Sequence, residues 1–157
     1  GDLVIEGIDF DGYYDTETQA VLPTNTPFIY MSTAGSLTIN NSNWEDNVSD
    51  STPLITAESN LYLDNVNFSY NTLINGEGGD SPIRVDGDYT VTIENSTFSF
   101  NDSYDQVNDN GSNGGALNIS GGSDVTISNT YFGYNEANAG GAIYLWRTDS
   151  LTINQNS

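Results

Sequence analysis

The chain contains no cysteine, no histidine and no lysine, and its 157 residues include only two arginines, Arg84 and Arg147. Without cysteine there is no disulfide framework to read, and the redox compartment stays open. The lack of positive charge says more. Against 22 acidic residues it leaves a formal charge of −20, a field that repels nucleic acid and anionic membrane surfaces and attracts cations, Ca²⁺ included. Also missing is any apolar run near the roughly 20 residues that span a bilayer, so neither nucleic-acid binding nor membrane insertion is expected. No segment carries the 3.6-residue periodicity of a helix. Composition does not shift along the chain, which predicts a single domain over residues 1–157. No signal peptide or initiator methionine is visible. The first strand-like run starts directly after Gly1 and the last is unfinished at Ser157, so the sequence reads as a mature protein or as a piece of a longer solenoid.

What is present is a repeated sentence. Val91 to Asn101 reads Val-Thr-Ile-Glu-Asn-Ser-Thr-Phe-Ser-Phe-Asn, and Val125 to Asn135 reads Val-Thr-Ile-Ser-Asn-Thr-Tyr-Phe-Gly-Tyr-Asn. The same phrase opens at Leu3, Leu37 and Leu61, and again at Leu151. In the five full copies an aromatic residue lies five positions after the second aliphatic: Ile5 to Phe10, Ile39 to Trp44, Leu63 to Phe68, Ile93 to Phe98 and Ile127 to Phe132. Two positions after that aliphatic stand Gly7, Asn41, Asn65, Asn95 and Asn129. A second phrase follows each aromatic, as Gly114-Gly115-Ala116-Leu117 and Gly140-Gly141-Ala142-Ile143, with Pro27, Pro53 or Pro82 leading it in the earlier copies. Aligned on the proline or alanine, its inward pairs read Phe28/Tyr30, Leu54/Thr56, Ile83/Val85, Leu117/Ile119 and Ile143/Leu145.

Both phrases alternate with period two, which means strand. Gly or Asn at the bend tolerates a left-handed backbone. Length varies between the aromatic and the second phrase, so the spacing of copies runs 34, 24, 30, 34 and 26 residues from Ile5 onward. Insertions confined to one corner map to loops on one side of a solenoid. Turns stacked about 4.8 Å apart would pair their strands in parallel and bury the alternate aliphatics. The expected fold is all-β, a parallel β-helix of about five rungs plus a partial sixth.

Phe-x-x-Asn, present as Phe68-Ser69-Tyr70-Asn71, Phe98-Ser99-Phe100-Asn101 and Phe132-Gly133-Tyr134-Asn135, together with Gly-Gly-Ala-Ile/Leu, resembles the repeats of polymorphic outer-membrane proteins. It is similar as well to the right-handed β-helix regions of adhesin-like surface proteins. The resemblance covers about Leu61 to Leu145. Toward the N-terminus Phe10 is followed by Tyr13 where the pattern has Asn, and Pro replaces Gly-Gly-Ala in three repeats. The resemblance implies a right-handed helix and a place on the cell surface; it does not fix an activity.

Candidate chemistry is sparse. The aromatic column is expected in the core, and the columns Asn41, Asn65, Asn95, Asn129 and Asn47, Asn71, Asn101, Asn135 are expected to form hydrogen-bonded ladders. A polysaccharide lyase needs a base and a cation to stabilise an enolate. A chain without lysine or histidine offers only Arg84, pointing outward, and Arg147, beside Asp149. A hydrolase needs carboxylates on adjacent rungs, a geometry open to Asp64 and Glu94. Ca²⁺ is the one cofactor the acidic composition invites, at the stretches Asp9 to Asp15 and Asp102 to Asn113, although neither has the spacing of a known calcium loop.

Seven Asn-x-Ser/Thr sequons occur. Asn40, Asn67 and Asn118 are expected to project outward and Asn110 to lie in a loop, which makes these four the N-glycosylation candidates. Asn47, Asn95 and Asn101 sit in ladders and are expected to be harder to modify. The function expected is non-catalytic: an extracellular, adhesin-like structural rod, continuing into a longer chain or stacking end to end, and presenting loops and glycans. The alternatives are a carbohydrate-active β-helix enzyme, or a carbohydrate-binding module using Tyr70, Tyr134 or Trp146.

Overall fold

The computed structural model describes residues 1–12, 14–15, 20–21, 26–32, 34–74, 80–103 and 112–154. Alternating aliphatics drive each opening phrase into a strand. Six such strands (Leu3–Glu6, Ser36–Asn40, Asn60–Asp64, Thr90–Glu94, Asp124–Ser128 and Ser150–Asn154) form one parallel sheet in chain order. In its register Ile5, Ile39, Leu63, Ile93, Ile127 and Ile153 lie side by side. A second sheet joins Asp9–Asp11, Asn43–Glu45, Asn67–Ser69, Thr97–Ser99 and Tyr131–Gly133. It pairs Phe10, Trp44, Phe68, Phe98 and Phe132, one per turn. The third sheet joins Ile29–Met31, Ile55–Ala57, Ile83–Asp86, Leu117–Ser120 and Ile143–Trp146.

The described residues are all strand, turn and irregular chain, wound as a parallel β-solenoid of about four turns. That is slightly fewer than the five rungs and partial sixth expected. The four inner copies of the first phrase, from Leu37 to Ile127, bury both aliphatics almost completely, whereas Leu3, Leu151 and Ile153 in the outermost copies are exposed. A terminal copy has a neighbour on one side only, so it builds an edge rather than a full turn.

One expectation slips by a residue. The third sheet pairs Ile29 with Ile55 and Ile55 with Ile83, so its inward positions are Ile29/Met31 and Ile55/Ala57. Phe28 and Tyr30 are exposed and Thr56 is half-exposed. Leu54 stands level with Pro82, whose carbonyl accepts the Leu54 N–H at 2.9 Å, so the prolines do not mark one common position. Because side chains alternate, a one-residue slip exchanges the two faces of a strand.

The corner between the first two sheets is built the same way each turn. Gly7, Asn41, Asn65, Asn95 and Asn129 have φ of +64°, +49°, +53°, +50° and +48°. Behind the bend, in three of the five turns, a buried hydroxyl closes on the carbonyl two residues earlier: Ser42 Oγ to Asn40 O at 2.8 Å, Ser96 Oγ to Glu94 O at 2.6 Å and Thr130 Oγ1 to Ser128 O at 2.8 Å, whereas Ile8 and Val66 stand there in the other two. The glycine that opens the Gly-Gly-Ala phrase is required by space as well. At Gly114, φ +79°, a Cβ would fall 2.1 Å from the Leu117 carbonyl oxygen.

Candidate functional site

With the interior filled by aliphatic and aromatic side chains, any recognition falls on the outer faces. The sequons sort by the wall they occupy. Asn47 and Asn101 are buried in the inner ladder, as expected. Asn40 is half-exposed, and so is Asn67, whose Nδ2 donates to Asn43 Oδ1 at 2.6 Å. Asn118 departs from expectation: it is buried. It does lie between the inward Leu117 and Ile119, but its neighbours in register are Arg84 and Tyr144, long side chains that cover a shorter one. Asn95, by contrast, is exposed, because its ladder lies on the outside of the corner. Asn110 lies outside the described residues. The hydroxyl residues of five sequons, Ser42, Ser49, Ser69, Ser103 and Ser112, are buried. Several of those hydroxyls have partners within the fold: Ser42 Oγ donates to the Asn40 carbonyl, Ser103 Oγ to the Gly114 carbonyl and Ser112 Oγ to Asn138 Oδ1.

Three exposed aromatics stack at the next corner. Tyr70, Phe100 and Tyr134 all have left-handed backbones, with φ of +55°, +56° and +56°. Their rings lie nearly parallel, 4.8 Å apart from Tyr70 to Phe100 and 4.7 Å from Phe100 to Tyr134. Rings stacked on one another turn their faces inward to the stack, so the column presents edges rather than a flat platform. Trp146 is exposed on a different wall, with the Arg147 guanidinium 5.9 Å from its ring centre. That contact is a cation–π pair; among the described residues Arg147 makes no ion pair with Asp149.

Asp64 and Glu94 are adjacent in register, as a two-carboxylate mechanism would need. Both are engaged by neighbours. Glu94 accepts from Tyr62 Oη at 3.1 Å and from Ser128 Oγ at 3.2 Å, and Asp64 accepts from Asn95 Nδ2 at 2.8 Å. Tyr62 is held above the usual phenol range by burial, by that hydrogen bond and by the nearby Asp64 and Glu94 charges. For calcium, the described residues contain no group of three or more acidic side chains that could hold a metal ion; most of Asp102 to Asn113 lies outside them.

The third sheet carries a concavity that the sequence did not disclose. It encloses about 360 Å³ and is lined across three turns by Pro27 and Tyr30, by Pro53, Thr56 and Glu58, and by Asp80, Arg84 and Asp86. Tyr30, Thr56 and Arg84 are in register, so they form its floor, and the chain entering each strand forms one rim. Arg84 reaches Asp80 Oδ1 at 2.6 Å through Nη1 and Asp86 Oδ2 at 2.9 Å through Nη2. Burial works against its charge, but the two carboxylates outweigh that and hold the guanidinium above its ordinary value. Asp86 is braced on its far side by Ser120 Oγ at 2.8 Å. Tyr30 Oη donates to Glu58 Oε1 at 3.2 Å, and that bond and charge raise the phenol above its usual range. The signal available in the sequence was the column Tyr30, Thr56, Arg84, hidden by the one-residue slip in the first two turns.

No family model matches the chain, and neither does any curated protein or solved structure.

Proposed function

We propose that this chain is an extracellular, non-catalytic structural rod of the adhesin-like kind, which holds variable loops and surface side chains at fixed intervals along its length. The observation that supports this reading most directly is continuity. The inner asparagine ladder runs unbroken through four turns, with Nδ2-to-Oδ1 links of 2.9 Å from Asn47 to Asn71, 3.0 Å from Asn71 to Asn101 and 2.8 Å from Asn101 to Asn135. Each link ties one turn to the next through a buried amide, so bending the rod would break satisfied buried hydrogen bonds.

Two open sheet edges support self-association as the partner in this reading. Leu3–Glu6 and Ser150–Asn154 each pair on one side only, and leave Leu3, Val4, Leu151 and Ile153 exposed. An open parallel edge that continues the aliphatic columns is a template for a further rung, supplied by a second copy or by more of the same chain. N-glycans, if carried, would sit on the outer walls, at Asn40, Asn67 and Asn95 among the described sequons.

Sedimentation and negative-stain microscopy of the purified 157-residue chain test the self-association part. Rods that lengthen with concentration, and that Thr152→Pro shortens by blocking the edge, are the expected result. A chain that stays monomeric at high concentration, with both edges exposed to hydrogen exchange, would sink end-to-end association.

A further inference from the structure

We propose that the groove on the outer face of the third sheet is a binding site for a neutral oligosaccharide. Its volume of about 360 Å³ falls within the roughly 300–1,000 Å³ typical of small-molecule sites. Its floor crosses three turns through Tyr30, Thr56 and Arg84, so it suits an elongated ligand laid along the rod axis.

The chemistry of the lining selects the ligand. Anions are disfavoured: Glu58, Asp80 and Asp86 outnumber the single guanidinium, and the whole chain carries −20. Arg84 is already neutralised by Asp80 and Asp86, so it is no free anchor for a phosphate or uronate. It uses two of its N–H groups on them, and a guanidinium has five. A divalent cation is disfavoured too, since Asp80 and Asp86 are taken up by Arg84 and no group of three acidic side chains among the described residues is placed to hold a metal ion. What remains is a mixture of fixed acceptors, spare donors and apolar surface.

A pyranose asks for that mixture. Glu58 follows Ala57, which pairs with Val85, so it stands one rung from Asp86; two carboxylates so placed accept hydrogen bonds from neighbouring hydroxyls. Arg84 and Thr56 donate. Tyr30 is 58% exposed yet tethered by its hydroxyl to Glu58, which fixes the ring for contact with sugar C–H groups at little entropic cost. Pro27 and Pro53 supply apolar rim. The stacked corner of Tyr70, Phe100 and Tyr134 lacks these partners and is not the site. The proposal is independent of whether the rod self-associates.

The test is titration of the ¹⁵N-labelled 157-residue chain with maltotriose, cellotriose, mannotriose and tri-N-acetylchitotriose, followed by amide shifts, with trigalacturonate and CaCl₂ as contrasting additions. At least one neutral trisaccharide should shift the amides of residues 56–58 and 84–86 saturably. Tyr30→Ala should weaken that binding by about five- to tenfold, while Phe100→Ala leaves it unchanged. Tyr30 is exposed, so this variant keeps the fold, and its amide spectrum verifies that. The proposal is overturned if none of the four sugars moves these amides, or if shifts appear instead at Tyr70, Phe100 and Tyr134. It fails equally if only trigalacturonate or Ca²⁺ occupies the groove, or if Tyr30→Ala binds as well as the parent chain.

Discussion

Two asparagine columns run along the rod at the same repeat, and they are there for different reasons. In the outer column, Asn65 Nδ2 donates to Asn41 Oδ1 at 2.8 Å and Asn129 Nδ2 to Asn95 Oδ1 at 3.3 Å, but Asn95 Nδ2 turns to Asp64 Oδ1. The column is exposed and interrupted. In the inner column the pattern never breaks. Asn101 Oδ1 accepts from both the backbone N–H and the Nδ2 of Asn71, each at 3.0 Å. Its own Nδ2 donates to Asn135 Oδ1 at 2.8 Å and to the Phe68 carbonyl at 2.9 Å. The outer asparagine is kept for its left-handed backbone, which glycine supplies equally well at Gly7. The inner one is kept for its amide, which nothing else of that size replaces.

The sharpest way to break this comparison is Asn101→Ala. It leaves the Asn71 N–H and one Asn71 amide proton buried without their acceptor. At about 1–3 kcal/mol per orphaned group, a loss of roughly 3–5 kcal/mol is expected, read as a fall in Tm on the order of 10 °C. Urea denaturation should give the same ranking. An Asn101→Ala chain as stable as its parent would mean that the ladder is decoration.

Phenylalanines two residues apart repeat the contrast. Phe98 is fully buried between Phe68 and Phe132, at centroid distances of 5.9 and 5.0 Å, whereas Phe100 is 43% exposed in the outer stack. Phe98→Ala should cost about 3–5 kcal/mol through the cavity it leaves, Phe100→Ala about 1 kcal/mol through lost stacking. Comparable losses would show that the outer stack carries load as a structural spine.

Much of this was legible in the sequence, because a solenoid writes its register into its repeat. Ile5, Ile39, Leu63, Ile93 and Ile127 pair as the alignment predicts, and so do the five aromatics below them. Three things were not legible. The proline-led phrases differ by a residue in register, because Pro82 and Leu54, not Pro82 and Pro53, share a position; proline marks the turn but not the register. Alternation alone puts Asn118 at the surface, yet it is buried with Arg84 and Tyr144 beside it on neighbouring turns. The groove was invisible for the same reason, since its parts come from three turns joined by connectors of unequal length.

The two columns should also answer differently to small changes. Asn95→Gly should stay within about 0.5 kcal/mol of the parent, as glycine is at home at φ +50°. Asn95→Ala should lose about 1 kcal/mol, from the strain of an ordinary side chain in that region. Chemical denaturation resolves the pair. Equal stability of the two variants would show that backbone conformation does not explain the outer column.

The smallest effect belongs to Asp46, which occupies the corner position that Tyr70, Phe100 and Tyr134 fill in later turns and shares their left-handed backbone, with φ +56°. Partial burial raises its carboxyl above the ordinary range, and the nearby charges of Glu45 and Asp11 add to this. A carboxylic acid whose pKa is higher in the folded state binds its proton more tightly there, so its ionisation opposes folding. The cost is absent below the unfolded pKa of about 4 and grows as pH rises through the raised folded value. Asp46→Asn removes that ionisation and keeps a residue that accepts φ +56°. Relative to the parent it should be neutral near pH 3 and more stable at pH 7, by no more than about 0.5 kcal/mol at so exposed a site. The difference should shrink in high salt, where the Glu45 and Asp11 contributions are screened. An Asp46→Asn chain less stable than its parent at pH 7, with the deficit vanishing toward pH 3, would mean Asp46 is stabilised as a carboxylate, and that this corner, like the inner ladder, is held by a specific partner rather than by backbone shape.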